Sequence, residues 1–346
     1  MRHVPSSIAA LCLALAAGCG TGPESTRASH LYERSTLAMG SDLTLSAWTS
    51  DDRAADAAFG EVVAEFERLD ALMSVWKPGS DVLRLNEAAG DRPVTVGPDV
   101  RAALESAREI SDWTNGKFDI TFGALTDIWK FDQDQDDSVP SDDAIAARLP
   151  LVDYRGLIVD ETAGTAFLAR KGMRAHLGGI GKGYAVDRAV RLLRDRGLRD
   201  FMIRAGGDLY VAGSNGGRPW RLGIADPRGT EGRVFASLDL SDATFSTSGD
   251  YARFFVRDGI RYHHLLDPDT GRPARGCRSV TIVADSPLVA DGLSTGVFVL
   301  GPTEGMALIE RLPNVEGVIV SATNDVLVSS GLRGKLTVIA PPTDAP

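Results

Sequence analysis

The chain has 346 residues, 43 % of them hydrophobic and 24 % charged, with a formal net charge of −10. That composition describes an ordinary globular protein with a sizeable core. The acidic balance, with no Lys/Arg-rich stretch to offset it, excludes nucleic acid as a partner. Of three cysteines, Cys12 and Cys19 fall at the N-terminus and Cys277 stands alone, so neither a disulfide framework nor a Cys/His zinc site is available. Cys277, between Gly276 and Arg278, reads as an incidental thiol.

Arg2 and His3 give a short basic start, residues 8–17 are almost wholly apolar, and the run ends in Ala16-Ala17-Gly18-Cys19. Such a run is too short to span a bilayer and suits a signal-peptide core. Small residues ahead of a cysteine are similar to a bacterial lipoprotein cleavage site. Residues 1–18 are therefore expected to leave as a lipoprotein signal peptide, with Cys19 the lipidated first residue; ordinary cleavage with an incidental thiol is the alternative. The expected location is exported and membrane-anchored, facing the periplasm. Residues 19–30, rich in Gly, Ser, Thr and Pro, read as a flexible tether, residues 31–340 as the folded domain, and residues 341–346 as a frayed tail.

Along the domain, Leu43, Leu45 and Ala47 alternate with polar residues, a strand signal. Phe59, Val62, Val63, Phe66, Leu69 and Met73 recur at helical spacing, and Val100, Ala103, Leu104, Ala107 and Ile110 repeat the pattern behind a Pro98-Asp99 start. The acidic run from Asp132 to Asp137 lacks the glycine and terminal Glu of a calcium loop and reads as a solvated surface loop. A third helix is expected from about Lys182 to Arg196, stopped by Gly197. Short apolar or alternating runs follow at residues 201–203, 209–211, 220–224, 280–283, 318–320, 326–328 and 336–339. A helix over residues 288–300 interrupts them. Strands and helices mixed in this way predict an α+β or mixed-sheet α/β domain.

Three clusters could carry chemistry. Leu177-Gly178-Gly179-Ile180-Gly181-Lys182-Gly183 leads into the third helix, where glycine backbone and helix N-terminus can meet a phosphate. Gly183 in place of Ser/Thr rules out a Walker loop, and the spacing is not GxGxxG; a tight packing turn is the equal alternative. His263-His264 precede an Asp267-Pro268-Asp269-Thr270-Gly271 turn. On a strand they face opposite sides, so one can serve as a base in a cleft while a structural role stays open for both. Asp291 and Thr295 lie one helical turn apart on one face and offer hard oxygen ligands for Mg²⁺. Asp291 could equally cap a helix.

Taken together and in order, these segments resemble the ApbE family of FAD:protein FMN transferases. Met39-Gly40, Met73-Ser74-Val75-Trp76 with Ser80 and Asn86, Gly116-Lys117-Phe118-Asp119-Ile120-Thr121, Ala205-Gly206-Gly207-Asp208-Leu209 and Ser246-Thr247-Ser248-Gly249-Asp250-Tyr251 extend the match over about Leu31 to Ala340. The resemblance implies a single mixed α/β catalytic domain of two closely packed halves with FAD in the cleft between them. It implies FAD contacts from Met39, Trp76, Phe118, Asp119, His176, Lys182 and Leu265. It also implies Mg²⁺ on Asp291, Thr295 and the Gly179 carbonyl, and His264 as catalytic base. Trp76 stands where the family usually has tyrosine, and His176 where it often has the aspartate of an Asp-Leu-Gly-Gly turn. The implied reaction is Mg²⁺-dependent transfer of FMN from FAD to a Thr or Ser hydroxyl of acceptor flavoproteins, releasing AMP. With water as acceptor the same site would be an FAD pyrophosphatase; with a ligand or His264 lost, it would only store flavin.

Overall fold

The computed structural model describes residues 28–132 and 134–345; the predicted leader, Cys19 and the tether up to residue 27 lie outside them. Among the described residues the α-helices are Asp52–Met73 (α1), Asp81–Glu87 (α2), Pro98–Trp113 (α3), Asp142–Arg148 (α4), Gly181–Asp195 (α5), Pro287–Leu300 (α6) and Pro302–Arg311 (α7). Asp51 opens α1 by accepting the Ala54 N–H at 3.0 Å, and Phe59, Val62, Phe66, Leu69 and Met73 form its buried stripe. Helix α6 begins with a Ser286 cap and Pro287 in its first turn and ends at Gly301, whose φ of 84° suits glycine. It is apolar nearly all round because it is buried in the middle of the protein.

One eight-stranded antiparallel sheet organises the chain. In spatial order its strands are His30–Ala38, Ser41–Thr49, Phe201–Ala205, Asp208–Ala212, Ala243–Gly249, Cys277–Ala284, Val315–Ser321 and Val326–Val328. That order is also the chain order, so each excursion returns beside the strand it left. Strand alternation builds two cores from one sheet. Tyr210, Ala212, Ile282, Ala284 and Ile319 join the helical core with α1, α3, α5, α6 and α7. Val211, Phe245, Val283, Val318 and Val320 face Trp220, Leu222, Ile224, Phe235 and Leu238 of a three-stranded sheet on the opposite face. Cys277–Ala284 is buried at every residue, which explains the nearly unbroken apolar run read there.

Two excursions meet to make a smaller lobe. Leu125, Trp129, Phe131, Ile145, Phe255 and Leu266 form its separate core, and Trp129 Nε1 donates to the Gly271 carbonyl at 2.7 Å. The strands Phe254–Arg257 and Ile260–His263 form a hairpin within it. The cleft opens between this lobe and the ends of main-sheet strands near Ser41, Asp208 and Gly249.

The end of the chain corrects the expectation of a frayed tail. Residues 341–345 carry no regular structure, yet Thr343 donates its N–H and hydroxyl to Asp226 at 3.0 and 2.7 Å, and Asn324 donates to the Pro342 carbonyl at 3.0 Å. The acceptor that holds the tail lies over a hundred positions away, so the tail's own residues give no sign of it.

Candidate active site

The cleft encloses about 600 Å³, within the range that holds cofactor-sized ligands. Its floor is the turn Leu177–Gly179 with the first turn of α5 and the facing stretch of α6. These two helices touch at Gly183. A Cβ there would lie 2.5 Å from the Pro287 carbonyl oxygen and 2.6 Å from Asp291 Cβ, which gives the physical reason for glycine after Lys182. The Gly183 N–H donates to Asp291 Oδ2 at 2.8 Å. Asp291 is therefore not the cap of its own helix, a place taken by Ser286, but a buried carboxylate set at the N-terminus of the neighbouring one.

Charge is concentrated here. Lys182 Nζ lies 2.8 Å from Asp208 Oδ2 and 3.9 Å from Asp291 Oδ2, and the Ser246 hydroxyl donates to Asp208 Oδ1 at 2.5 Å. Burial opposes the charge on Lys182, but Asp208 and Asp291 outweigh it and hold the ammonium above its ordinary value. Asp291 is only 4 % exposed. Burial and the nearby Asp208 push its carboxyl well above the usual carboxylate range, against the pull of Lys182 and the Gly183 N–H. Two buried carboxylates thus share one ammonium, an arrangement that a further cation relieves. Thr295, one turn along α6, places its hydroxyl 3.2 Å from Ser248 Oγ, and a Cβ on Gly179 would lie 3.6 Å from Thr295 Oγ1. Asp291 carboxylate, Thr295 hydroxyl and Gly179 carbonyl are hard oxygen donors, and they fit Mg²⁺. Among the described residues no group of three His, Cys, Asp or Glu side chains offers a rival metal centre.

The histidines divide by tautomer. His264 lines the cleft, its Nδ1 3.3 Å from the Arg253 carbonyl oxygen. A carbonyl only accepts, so Nδ1 carries the hydrogen and Nε2 keeps a lone pair. Burial and the positive charge of Arg253 lower the His264 pKa to about 3, so the ring is neutral at physiological pH. His263, at the end of its strand, turns the other way. It is 2 % exposed, its Nε2–H donates to the Ala274 carbonyl at 2.8 Å, and its Nδ1 accepts from Leu265 N at 3.3 Å. In the glycine turn, His176 Nδ1 accepts the Gly178 N–H at 3.0 Å.

The walls carry most of the remaining expected residues. Trp76 stands at the rim, 54 % exposed. Phe118 is 3 % exposed and packs against Gly179, and Leu265 presents an apolar edge. Asp119 lines the cleft, but both its oxygens are in use: Oδ1 accepts from Thr121 N–H and hydroxyl at 2.7 and 2.6 Å, and Oδ2 from Tyr154 N–H at 2.8 Å. Burial lifts its carboxyl to about 6. Its immediate work is to hold the segments that carry Phe118 and Tyr154.

Met39 departs from expectation. It occupies the two-residue turn Met39-Gly40 with φ of 48°, and Gly40 and Ser41, not Met39, line the cleft. Its methyl group faces Gly181 beside Met73, so it supports the floor from behind. The sequence reading also missed cleft residues. Asp208 appeared only as part of a matched segment. Arg253 crosses to Asp132 at 2.6 Å, and Lys117 ties the Phe118 segment to Asp267 and Asp269 at 2.8 and 2.9 Å. Asp132 was read as part of a solvated loop; residues 134–137 are exposed, but Asp132 is half-buried in the cleft wall. These pairings join residues far apart in sequence, and no local pattern announces them.

A helix N-terminus, buried carboxylate and hydroxyl oxygens, a histidine with a lone pair and aromatic side chains thus converge on one cleft of a mixed α/β protein. Comparison with known proteins sharpens that picture. The chain belongs to the ApbE family, whose sequence profile matches residues 39–319. An FAD:protein FMN transferase from Klebsiella pneumoniae (strain 342) is 32 % identical over 305 residues, covering 88 % of this chain and 93 % of that protein. One from Treponema pallidum is 32 % identical over 339 residues, covering 93 % of each chain. Among solved structures, the ApbE protein of Thermotoga maritima superposes with a TM-score of 0.82 at 30 % identity, covering 88 % of this chain and 99 % of that one. The flavin transferase ApbE of Vibrio cholerae gives 0.80 at 27 % identity, covering 89 % and 99 %.

Proposed function

We propose that the protein transfers the FMN half of FAD to a threonine or serine hydroxyl of an acceptor protein, with AMP as the leaving group and Mg²⁺ in the floor of the cleft. The observation that carries this reading is the tautomer of His264. Its Nδ1–H is spent on the Arg253 carbonyl, so Nε2 stands ready for a proton in the same cleft as Asp291, Thr295 and Gly179.

In the reaction, the acceptor hydroxyl oxygen attacks the FMN-side phosphorus of FAD. A new P–O ester bond forms as the P–O bond to AMP breaks, AMP leaves with the electron pair, and His264 Nε2 takes the hydroxyl proton. Asp291, Thr295 and the Gly179 carbonyl would hold Mg²⁺, which supplies positive charge to the pyrophosphate. Lys182 and the first turn of α5 add a fixed cation and backbone N–H groups where a protein of net charge −10 needs them. Entry of an anionic substrate raises the basicity of His264 when a base is required. Trp76 and Phe118 offer aromatic surface to the ring systems.

Asp291→Asn keeps the shape of the side chain and removes its charge. The expected result is loss of Mg²⁺-dependent AMP release with flavin binding only partly weakened. Undiminished AMP release by the parent protein in EDTA would overturn the metal assignment. For location, the reading is an exported lipoprotein held to a membrane through Cys19 and facing the periplasm. It rests on the Ala16-Ala17-Gly18-Cys19 segment. Cys19→Ala is expected to move the protein into soluble fractions, and a variant as membrane-bound as the parent contradicts the anchor.

A further inference from the structure

We infer that His176 is a neutral hydrogen-bond donor to an acceptor atom on one of the dinucleotide's rings, the reverse of the carboxylate acceptor common at this place in the family. The inference rests on the proposed use of the cleft for FAD, and concerns how this particular chain grips it.

The imidazole is held from several sides. Asn86 clamps Ala175 by accepting its N–H at 2.7 Å and donating to its carbonyl at 2.9 Å. The His176 N–H then donates to the Ile120 carbonyl at 2.8 Å. The ring centroid lies 5.3 Å from that of Phe122, and Nδ1 accepts the Gly178 N–H at 3.0 Å. An N–H pointing at Nδ1 leaves that nitrogen without a hydrogen, so the proton of the neutral ring sits on Nε2. Among the described residues the ring's hydrogen bond is the one at Nδ1, so Nε2–H is left for the cleft that the ring lines. Desolvation lowers the ring's pKa to about 4, so the donor is uncharged at physiological pH.

An aspartate here could accept the same Gly178 N–H, and the turn would keep its shape. It would then show the ligand only acceptors and a negative charge. His176 keeps the cap and shows a donor instead. Its surroundings say which part of the ligand it meets: the Phe122 ring lies beside it, Trp129 and Phe131 line the same cleft, and an aromatic setting suits a flat heterocycle rather than a phosphate. Adenine N1 and N7 and the two flavin carbonyls are acceptors, each beside an N–H donor of the same ring. A small shift of the ring therefore exchanges a carboxylate partner for an imidazole one.

The test compares substitutions that separate donor, cap and charge, using full-length protein and FAD binding by titration calorimetry without acceptor. H176N can accept from Gly178 and still donate, and is expected to bind FAD within about threefold of the parent. H176D can accept but not donate, and H176S can cap without reaching the ligand or adding charge; each is expected to weaken binding by about tenfold or more, the scale of one buried hydrogen bond. The inference is overturned if H176D or H176S binds as tightly as the parent, or if H176N weakens as much as they do. Failure of the parent to bind FAD would instead overturn the flavin-transfer reading itself. Should H176D not fold, the comparison of H176S with H176N decides the matter alone.

Discussion

At the scale of single residues, function here turns on which nitrogen of an imidazole carries the hydrogen. His264 donates from Nδ1 to the Arg253 carbonyl and keeps a lone pair on Nε2 for the proposed role of base, while His263 is tied at both nitrogens and serves the core. His264→Ala is expected to cut FMN transfer by about 10²–10⁴-fold with FAD affinity nearly unchanged, measured by transfer rate and by flavin titration. His263→Ala should leave the chemistry in place but cost about 3 kcal/mol in urea unfolding. It empties the contact with Phe298, 5.5 Å away between ring centroids, and leaves two backbone groups unpaired. That cost exceeds what alternation along a strand suggests, because the sequence places His263 away from the cleft without showing that it is buried. An essential His263 with a dispensable His264 would contradict the assignment. Ten of the eleven residues expected in the cleft line it, since each sits in a segment matched in order to the family. Met39 does not, because its backbone turns at a positive φ and swings the side chain behind the floor.

At the scale of elements, the meeting of α5 and α6 is what makes the site. Gly183→Ala forces a methyl group into the space held by Pro287 and Asp291. It should cost about 1–3 kcal/mol, lower the melting temperature and weaken cation binding by moving Asp291 off the Gly183 N–H. Gly60→Ala in α1 is the control: only Arg34 Nη1, at 3.9 Å, comes within reach of the new methyl. A helical glycine replaced by alanine there should stabilise by about 0.5–1 kcal/mol. Equal effects at the two positions would contradict the close helix contact. Long helices were legible: α1 and α3 through apolar stripes that repeat at helical spacing, α5 between its glycine-rich start and Gly197, and α6 as an apolar run between strands, and all four lie close to where the sequence puts them. The strand Ala243–Gly249 was not, being built largely from Ser and Thr. Its hydroxyls are satisfied inside the protein, Thr244 by the Leu209 carbonyl at 2.8 Å and Ser246 by Asp208 at 2.5 Å. A rule that seeks apolar residues passes over such a strand. His30–Ala38 escaped for another reason, as a half-exposed edge strand carrying Glu33 and Arg34.

For the whole molecule, one antiparallel sheet separates two cores, and the excursions between its strands bring distant segments to a single cleft. The glycine turn, the paired histidines and the Asp291–Thr295 face each have a plain structural reading alone, and only their convergence gives them a common purpose. That convergence was legible from the order of the matched segments. The ties across the cleft, Arg253 to Asp132 and Lys117 to Asp267, were not, because partners over a hundred residues apart leave no periodic trace. The central claim is that the cleft passes FMN to a protein hydroxyl. Its most direct measurement is the intact mass of a candidate acceptor flavoprotein incubated with this protein, FAD and Mg²⁺. The expected result is an acceptor heavier by one FMN moiety on a single Thr or Ser, with one AMP released for each acceptor modified. AMP and free FMN released while the acceptor's mass stays unchanged would contradict it and make the protein a pyrophosphatase.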